Sequence, residues 1–121
     1  MNVTLNGISV IVDELRVRNN PVLTSISMMQ LNYSKYSEIE YNPLLTSISL
    51  PQLATSHYIN LTNNALNSNT INSLLNKFLT VLPSSGKYIQ LNNQNPLASP
   101  TGQGIIDKQT LINTGNTVTT D

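Results

Sequence analysis

The chain has 121 residues, of which 39% are hydrophobic and 10% charged, and its formal net charge is zero at pH 7, which suits one folded domain with a modest core. A neutral chain has no electrostatic footprint for phosphate groups, and no stretch is apolar over membrane-spanning length, so we expect neither nucleic-acid nor membrane binding. Because the sequence contains no cysteine, a disulfide framework and a thiolate metal site are excluded.

The start of the chain contains the apolar segment VTLNGISVIV, with no basic region before it. This composition is not that of a secretion signal, so a protein of this type that works outside the cell would need another way out. We expect residues 1–13 to form an N-terminal strand or cap that pairs with the rest of the domain or docks on another chain.

An eight-residue motif occurs twice, as NPVLTSIS at 20–27 and NPLLTSIS at 42–49. Alignment over residues 14–66 at the spacing of these two copies gives three rows with one asparagine column and two apolar columns, three residues before it and two residues after it. The asparagines are Asn20, Asn42 and Asn64, and the apolar residues are Val17, Ile39 and Leu61, then Val22, Leu44 and Leu66. A repeat of this length cannot bury its own inward face, so successive repeats are expected to stack.

Each column has its own physical reason. Alternating apolar residues make a short strand with one inward face, and the asparagine supplies amide groups to the backbone where the strand ends. The proline in NP cannot donate a ladder hydrogen bond, so it marks the end of the strand. The pattern apolar-x-x-Asn-x-Leu resembles the leucine-rich-repeat family in its short bacterial style. That resemblance implies an α/β solenoid with a parallel sheet and a β-rich N-terminal half.

Residues 67–121 change to helical periodicity. NSNTINSLLNKFLTVL predicts a helix that Ser68 or Asn69 caps and Pro83 closes. Its apolar face consists of Ile71, Leu74, Leu75, Phe78 and Leu79. GKYIQLNN then reads as a strand, which predicts a βαβ crossover. After a Pro/Gly-rich loop, Asp107 and Gly115 are predicted to cap a second short helix, and NTVTT is predicted to form a last strand.

The segment from Ser84 to the end contains PTGQG, DKQTLI and TVTT in that order. It resembles the closing unit of repeat proteins from bacteroidete bacteria and their phages, in which a Trp commonly precedes the final strand where this chain has Asn116. The resemblance implies a C-terminal cap. A stack of repeats needs one, because its last unit would otherwise expose apolar surface.

Few residues suit catalysis or metal binding. His57 is the single histidine and has no acidic partner at ligand spacing. Glu38 and Glu40 project from one side of a predicted strand, as a glycosidase pair could. The repeat register sets them beside Arg16 and Arg18, so two surface ion pairs explain them better. We therefore expect no enzymatic activity, no cofactor and no metal.

Alternate residues of the aligned strands predict columns of side chains on an outward sheet face. Three tyrosines fall in one column, with charged and amide residues in the next. Rings on strands about 4.8 Å apart can stack as a stabilising ladder, or serve as rigid anchors for a partner, and the two roles are compatible. The predicted binding residues are Tyr36, Tyr58, Tyr88, Arg16, Glu38, Asn60 and Gln90.

The sequence leaves three classes of function: a structural or adhesive module, an enzyme, and an ice- or surface-binding protein with Thr and Ser rows. The first fits best, and the cap resemblance adds a phage virion component: a spike, fibre or decoration protein displayed on the particle. Its expected partners are other virion or surface proteins and host glycans, with self-association left open. The alternative is a host-encoded bacterial protein-binding module, in the cytoplasm or exported by a non-classical route.

Overall fold

A computed structural model describes residues 1–4 and 10–121, with the side chains of residues 10–12 outside that description. Every paired strand in the described residues runs parallel to its neighbour. The strands are β1 (Asn2–Thr4), β2 (Val10–Arg18), β3 (Ser25–Ser27), β4 (Leu31–Glu40), β5 (Ser47–Ser49), β6 (Tyr58–Asn60), β7 (Tyr88–Gln90) and β8 (Thr117–Thr119). They form a three-stranded sheet in the order β1-β3-β5 and a five-stranded sheet in the order β2-β4-β6-β7-β8.

Two helices complete the chain, α1 (Ser68–Phe78) and α2 (Gln103–Asn113). The protein is therefore an α/β fold with two parallel sheets, and the predicted parallel sheet and the two helices of the C-terminal half are confirmed. Helix α1 connects β6 to its parallel neighbour β7, which is the predicted βαβ crossover. Neither helix of the described residues has the length and apolar composition needed to cross a membrane.

The strand register follows the spacing of the sequence motif. Ser25 pairs with Ser47 in the small sheet, and Tyr36 pairs with Tyr58 in the large sheet, each at the interval that separates the two motif copies. Tyr58 then pairs with Tyr88 at a longer interval, because α1 is inserted between their strands. The sequence does not predict the three-stranded sheet, since its strands are too short for their alternation to stand out.

The first residues take part in both sheets. Strand β1 pairs with β3, and β2 pairs with β4 from Val10 onward. The amino group of Met1 donates to the carbonyl oxygen of Val22 at 2.7 Å, which ties the start of the chain to the turn between β2 and β3. Residues 5–9 of the predicted N-terminal strand lie outside the described residues.

The core draws side chains from both sheets and both helices. One predicted core column is wrong, because Val22 and Leu44 are more than half exposed, whereas Leu23 and Leu45 are buried. The N–H groups of Leu23 and Leu45 donate to the carbonyl oxygens of the asparagines three residues earlier, which turns the next residue inward. In the third row, where alanine replaces proline, the predicted Leu66 is buried.

The helix boundaries also differ from those that the sequence predicts. Asn67 caps α1 by accepting a hydrogen bond from the N–H of Thr70 at 2.9 Å, and the helix ends at Phe78, well before Pro83. Helix α2 begins at Gln103, so Asp107 is not its N-cap. That aspartate is buried inside the helix, where it accepts hydrogen bonds from Asn76 and Gln103.

Asn116 is buried just before β8. Its Oδ1 accepts a hydrogen bond from the N–H of Lys87 at 2.9 Å. Its Nδ2 donates to the carbonyl oxygens of Ser84 and Leu111, both at 2.9 Å. A polar side chain at this position therefore ties β8 to the connections around it by hydrogen bonds.

Candidate binding face of the five-stranded sheet

The central feature of the five-stranded sheet is a row of three tyrosines, one each from β4, β6 and β7. The rings of Tyr58 and Tyr88 are parallel, with centroids 5.6 Å apart and an interplanar angle of 1°. Tyr36 leans on Tyr58 at 6.3 Å and 54°. The structure thus brings together the three tyrosines that the sequence places in one column, with centroid distances at which aromatic pairs attract.

The outer tyrosines of this row are available to a partner. Tyr36 is 40% exposed and Tyr88 41% exposed, whereas Tyr58 is half-buried between them. The Tyr58 hydroxyl donates to Oε1 of Gln90 at 3.2 Å. The ammonium of Lys35 lies 5.2 Å from the centroid of the Tyr36 ring, within cation–π range. The rings are consequently held in place before any partner arrives.

The electrostatic surroundings raise the pKa of Tyr58. Burial is the first cause, and the nearby carboxylates of Glu38 and Glu40 add to it by disfavouring a phenolate. The hydroxyl therefore keeps its proton and remains a hydrogen-bond donor to Gln90.

An ion-pair network lies beside the tyrosines on the same face. Nε of Arg16 contacts Glu38 at 3.1 Å, and Nε of Arg18 contacts Glu40 at 2.8 Å, which are the two predicted pairs. Arg18 also bridges to Glu38, and Arg16 to Glu14. The prediction that both pairs lie on an open face is wrong for Glu40, which is only 7% exposed.

Asn60 and Gln90 complete the predicted set, and the structure places them differently. Asn60 is buried, donates to Oε2 of Glu40 at 2.9 Å and accepts from the hydroxyl of Thr62 at 2.8 Å. Its polar atoms are thus occupied within the sheet. Gln90 is half-buried beside the hydroxyls of Tyr58 and Tyr88, so its carboxamide lies at the edge of the aromatic row.

A second row, of buried amides, runs along the ends of the strands. Oδ1 of Asn42 accepts from the N–H of Asn20, and Oδ1 of Asn64 accepts from the N–H of Asn42, both at 3.1 Å. Their Nδ2 groups donate back to the carbonyl oxygens of Val17 at 3.1 Å and Ile39 at 2.7 Å. The predicted asparagine column therefore forms a hydrogen-bonded amide row that joins successive turns.

The amide row extends beyond the asparagines that the sequence identifies. Oε1 of Gln94 accepts from the N–H of Leu66 at 3.0 Å, and the Asp121 carboxylate accepts from the N–H of Gln94 at 3.1 Å. Gln94 follows Asn64 at the same interval at which Tyr88 follows Tyr58. That shared interval is the signal that could have identified Gln94.

A residue with a left-handed backbone directly precedes each of the amides of the row, which are Asn20, Asn42, Asn64 and Gln94. The preceding residues are Asn19 (φ 57°), Tyr41 (φ 58°), Asn63 (φ 57°) and Asn93 (φ 59°). Asparagine tolerates this conformation better than other residues with a side chain, so Tyr41 is the exception. The left-handed residue turns the chain out of the strand and directs the next amide inward.

Two small cavities lie away from the sheet face. One, of about 170 Å³, is lined by Leu50, Pro51, Leu74 and Lys77 among others. The other, of about 330 Å³, lies between the two helices and is lined by polar residues, including Asp107. Within residues 1–4 and 10–121, no three His, Cys, Asp or Glu side chains are grouped to hold a metal ion, and His57 is exposed.

No family model, curated protein sequence or solved structure matches the chain.

Proposed function

We propose that the chain is a short leucine-rich-repeat-like α/β solenoid that acts as a non-enzymatic binding module on the surface of a phage virion. The recurring register of its parallel strands, which shifts once between Val10 and Ile11, supports the repeat arrangement. The amide row supports it too, because it links each turn to the next. Residues 1–13 serve as an N-terminal strand or cap, 14–66 as repeats, and 67–121 as a helix-containing repeat and C-terminal cap.

The observation that carries the binding role is the aromatic row on the five-stranded sheet. Three rings lie in one line on adjacent strands, Tyr88 stacked on Tyr58 and Tyr36 tilted against it, and the outer two are about two-fifths exposed. Pre-ordered aromatic anchors with polar neighbours lose little conformational entropy on binding, which is why interfaces favour them. The partner is a protein or a glycan, since rings flanked by amide and charged groups can stack on either. The virion location rests on the resemblance of the C-terminal segment alone.

The experiment compares alanine variants of the row with a tyrosine outside it. Tyr88→Ala and Tyr58→Ala remove rings from the row, and Tyr41→Asn removes an exposed ring elsewhere at a position where asparagine fits the backbone. Fluorescently labelled protein is applied to a glycan array and to intact bacteroidete cells. We expect the row variants to lose roughly thirtyfold in affinity and the control to bind like the wild type.

The proposal fails if a folded Tyr58→Ala/Tyr88→Ala double variant binds as well as the wild type. Circular dichroism and a cooperative unfolding transition establish that each variant is folded. Mass spectrometry of purified phage particles tests the virion location separately, by the presence or absence of this chain.

A further inference from the structure

Strand β2, at one end of the five-stranded sheet, has a long edge that pairs with no other strand of the described residues. Strand β2 has nine residues, and β4 is the only described strand that pairs with it. The opposite edge strand, β8, has three residues. Natural sheets keep their exposed edges short, because a row of unpaired backbone groups is a template for another strand. The edge strand β2 is therefore three times as long as the edge strand β8, counted in residues.

The backbone of β2 directs alternate groups toward this edge. The N–H of Asn19 donates to the carbonyl oxygen of Glu40, so Asn19 faces β4. Because successive residues of a paired strand point their backbone groups to opposite neighbours, Arg18 faces away from β4, and so do Arg16 and Glu14. Three backbone N–H groups and three carbonyl groups are thus directed to the side where no described strand lies, and one of these carbonyls, that of Arg18, already accepts from Nδ2 of Asn20 at 3.0 Å.

The amide row is also open at this end. Each asparagine oxygen accepts the N–H of the preceding turn, as Asn42 does from Asn20 and Asn64 does from Asn42. Among the described residues, nothing donates to Oδ1 of Asn20, which occupies the first position of the row. At the far end the carboxylate of Asp121 completes the series. The row therefore has a direction, and its first acceptor lies at the β2 end.

The charges near the β2 edge set a third requirement for a strand that binds there. Within the sheet, Arg16 contacts Glu38 on the neighbouring strand, and Arg18 contacts Glu38 and Glu40. The side chains of Arg16 and Arg18 are still 53% and 39% exposed. A strand added on the other side of β2 would meet the same two guanidinium groups.

We propose that the β2 edge binds a parallel β-strand of another polypeptide, with acidic side chains facing the two arginines and an asparagine directly after the strand. The N–H of that asparagine donates to Oδ1 of Asn20, as the N–H of Asn20 donates to Oδ1 of Asn42. The strand is parallel because all six described strand pairs are parallel and because the amide row has one direction. The backbone contacts of this strand lie at the edge of the sheet and not on the tyrosine row.

The probe is a synthetic peptide with the sequence of residues 33–45, YSKYSEIEYNPLL, which combines a strand, two glutamates and the asparagine. A fluorescent label at its N-terminus allows titration by anisotropy against the full chain. We expect saturable binding at up to about 1 mM. N-methylation of the peptide asparagine should weaken binding about tenfold, because one backbone donor is lost.

Two variants of the protein test the edge itself. Arg16→Ala removes the guanidinium and keeps the N–H, whereas Arg16→Pro removes both, at an edge position where proline is tolerated. We expect Arg16→Pro to bind about tenfold more weakly than Arg16→Ala. Tyr88→Ala should leave peptide binding unchanged, which separates this result from any failure of the tyrosine face.

The proposal is overturned if the peptide does not saturate, or if the N-methylated peptide binds as tightly as the unmodified one. The peptide comparison uses wild-type protein, so it decides the matter even if Arg16→Pro does not fold. Equal affinities for folded Arg16→Pro and Arg16→Ala would equally place the contact elsewhere.

Discussion

The N–H of Asn20 donates to Oδ1 of Asn42 at 3.1 Å, which joins two successive turns of the chain. Nδ2 of Asn42 then donates to the carbonyl oxygens of Val17 and Glu40, each at 3.1 Å. Asn42 is fully buried, so water cannot replace these partners. One carboxamide thus satisfies backbone groups from two successive turns at the point where the strand ladders have ended.

Replacing Asn42 with alanine should lower the free energy of unfolding by about 1–3 kcal/mol, because buried backbone donors and acceptors lose their partners. Equilibrium urea denaturation measures the change. Asn20→Ala is the matched control, since Asn20 is only half-buried and lies at the end of the row. An equal loss for the two variants would contradict this account of the amide row.

The carboxylate of Asp121 makes a second test of the same row. It accepts hydrogen bonds from the N–H groups of Asn93 at 2.6 Å, Gln94 at 3.1 Å and Ala98 at 3.1 Å. Asp121→Ala should therefore cost about 1–3 kcal/mol in urea denaturation. Asp13→Ala removes the same charge from an exposed position and should stay within about 0.5 kcal/mol of the wild type. Similar losses for the two variants would show that charge alone matters.

The amide row shows how far the sequence predicts this structure. The repeated eight-residue motif locates Asn20, Asn42 and Asn64 because the asparagine recurs at a fixed interval. Gln94 and Asp121 are harder to find. A longer side chain and a carboxylate take the same role there, and their distances along the chain differ from the spacing of the two motif copies. Sequence alignment follows residue type, whereas the backbone requires only an oxygen in the right place.

The sequence also does not predict which of the two apolar residues after each proline is buried. Val22 and Leu44 follow proline and are exposed, whereas the leucines after them are buried. An apolar residue at either position gives the same hydropathy pattern, and only the turn geometry decides which one faces the core. The tyrosine column depends on strand register alone, so period and alternation were enough to place it.

Tyr41 should tolerate a stabilising substitution. Its φ of 58° is left-handed, and the three equivalent positions hold asparagine. The Tyr41 side chain is 52% exposed, so little packing is lost on replacement. Tyr41→Asn should raise the free energy of unfolding by about 0.5–1 kcal/mol, because asparagine adopts this backbone at lower cost. Asn63→Tyr, the reverse change at an equivalent position, should lower it. A gain from both substitutions would exclude backbone strain as the cause.

The contact between the two helices depends on Gly104. A Cβ atom at this position would lie 2.0 Å from Oδ1 and 2.6 Å from Cγ of Asn72 in α1. Gly104→Ala should therefore cost about 1–3 kcal/mol through overpacking, as measured by thermal or urea unfolding.

Asn72→Ala provides the control for this clash. It removes the obstructing atoms, although it also removes the hydrogen bonds of Asn72 to Thr101 at 2.8 and 2.9 Å. In the double variant the loss should be smaller than the sum of the two single losses by about 0.5 kcal/mol or more. Strictly additive losses would show that the two residues do not compete for the same space.

The raised pKa of Tyr58 predicts how stability depends on alkaline pH. Burial is its main cause, with Glu38 and Glu40 adding to it, and the ordinary tyrosine value is 10.0. As the pH rises past 10.0, the unfolded chain loses the Tyr58 proton before the folded chain does, so ionisation favours unfolding. The stability due to this hydroxyl is intact below that pH and declines as the pH approaches the folded-state pKa.

Tyr58→Phe isolates this effect, because it removes the hydroxyl and keeps the stacked ring. Near neutral pH the variant should be less stable than the wild type by about 0.5–1.5 kcal/mol, since the hydrogen bond to Gln90 is lost. The difference between the two proteins in urea denaturation should shrink as the pH is raised from about 9 to about 11. Tyrosinate absorbance gives an independent reading. If the wild-type minus variant difference stays constant from about pH 9 to about pH 11, burial and the two carboxylates do not raise the pKa of this hydroxyl.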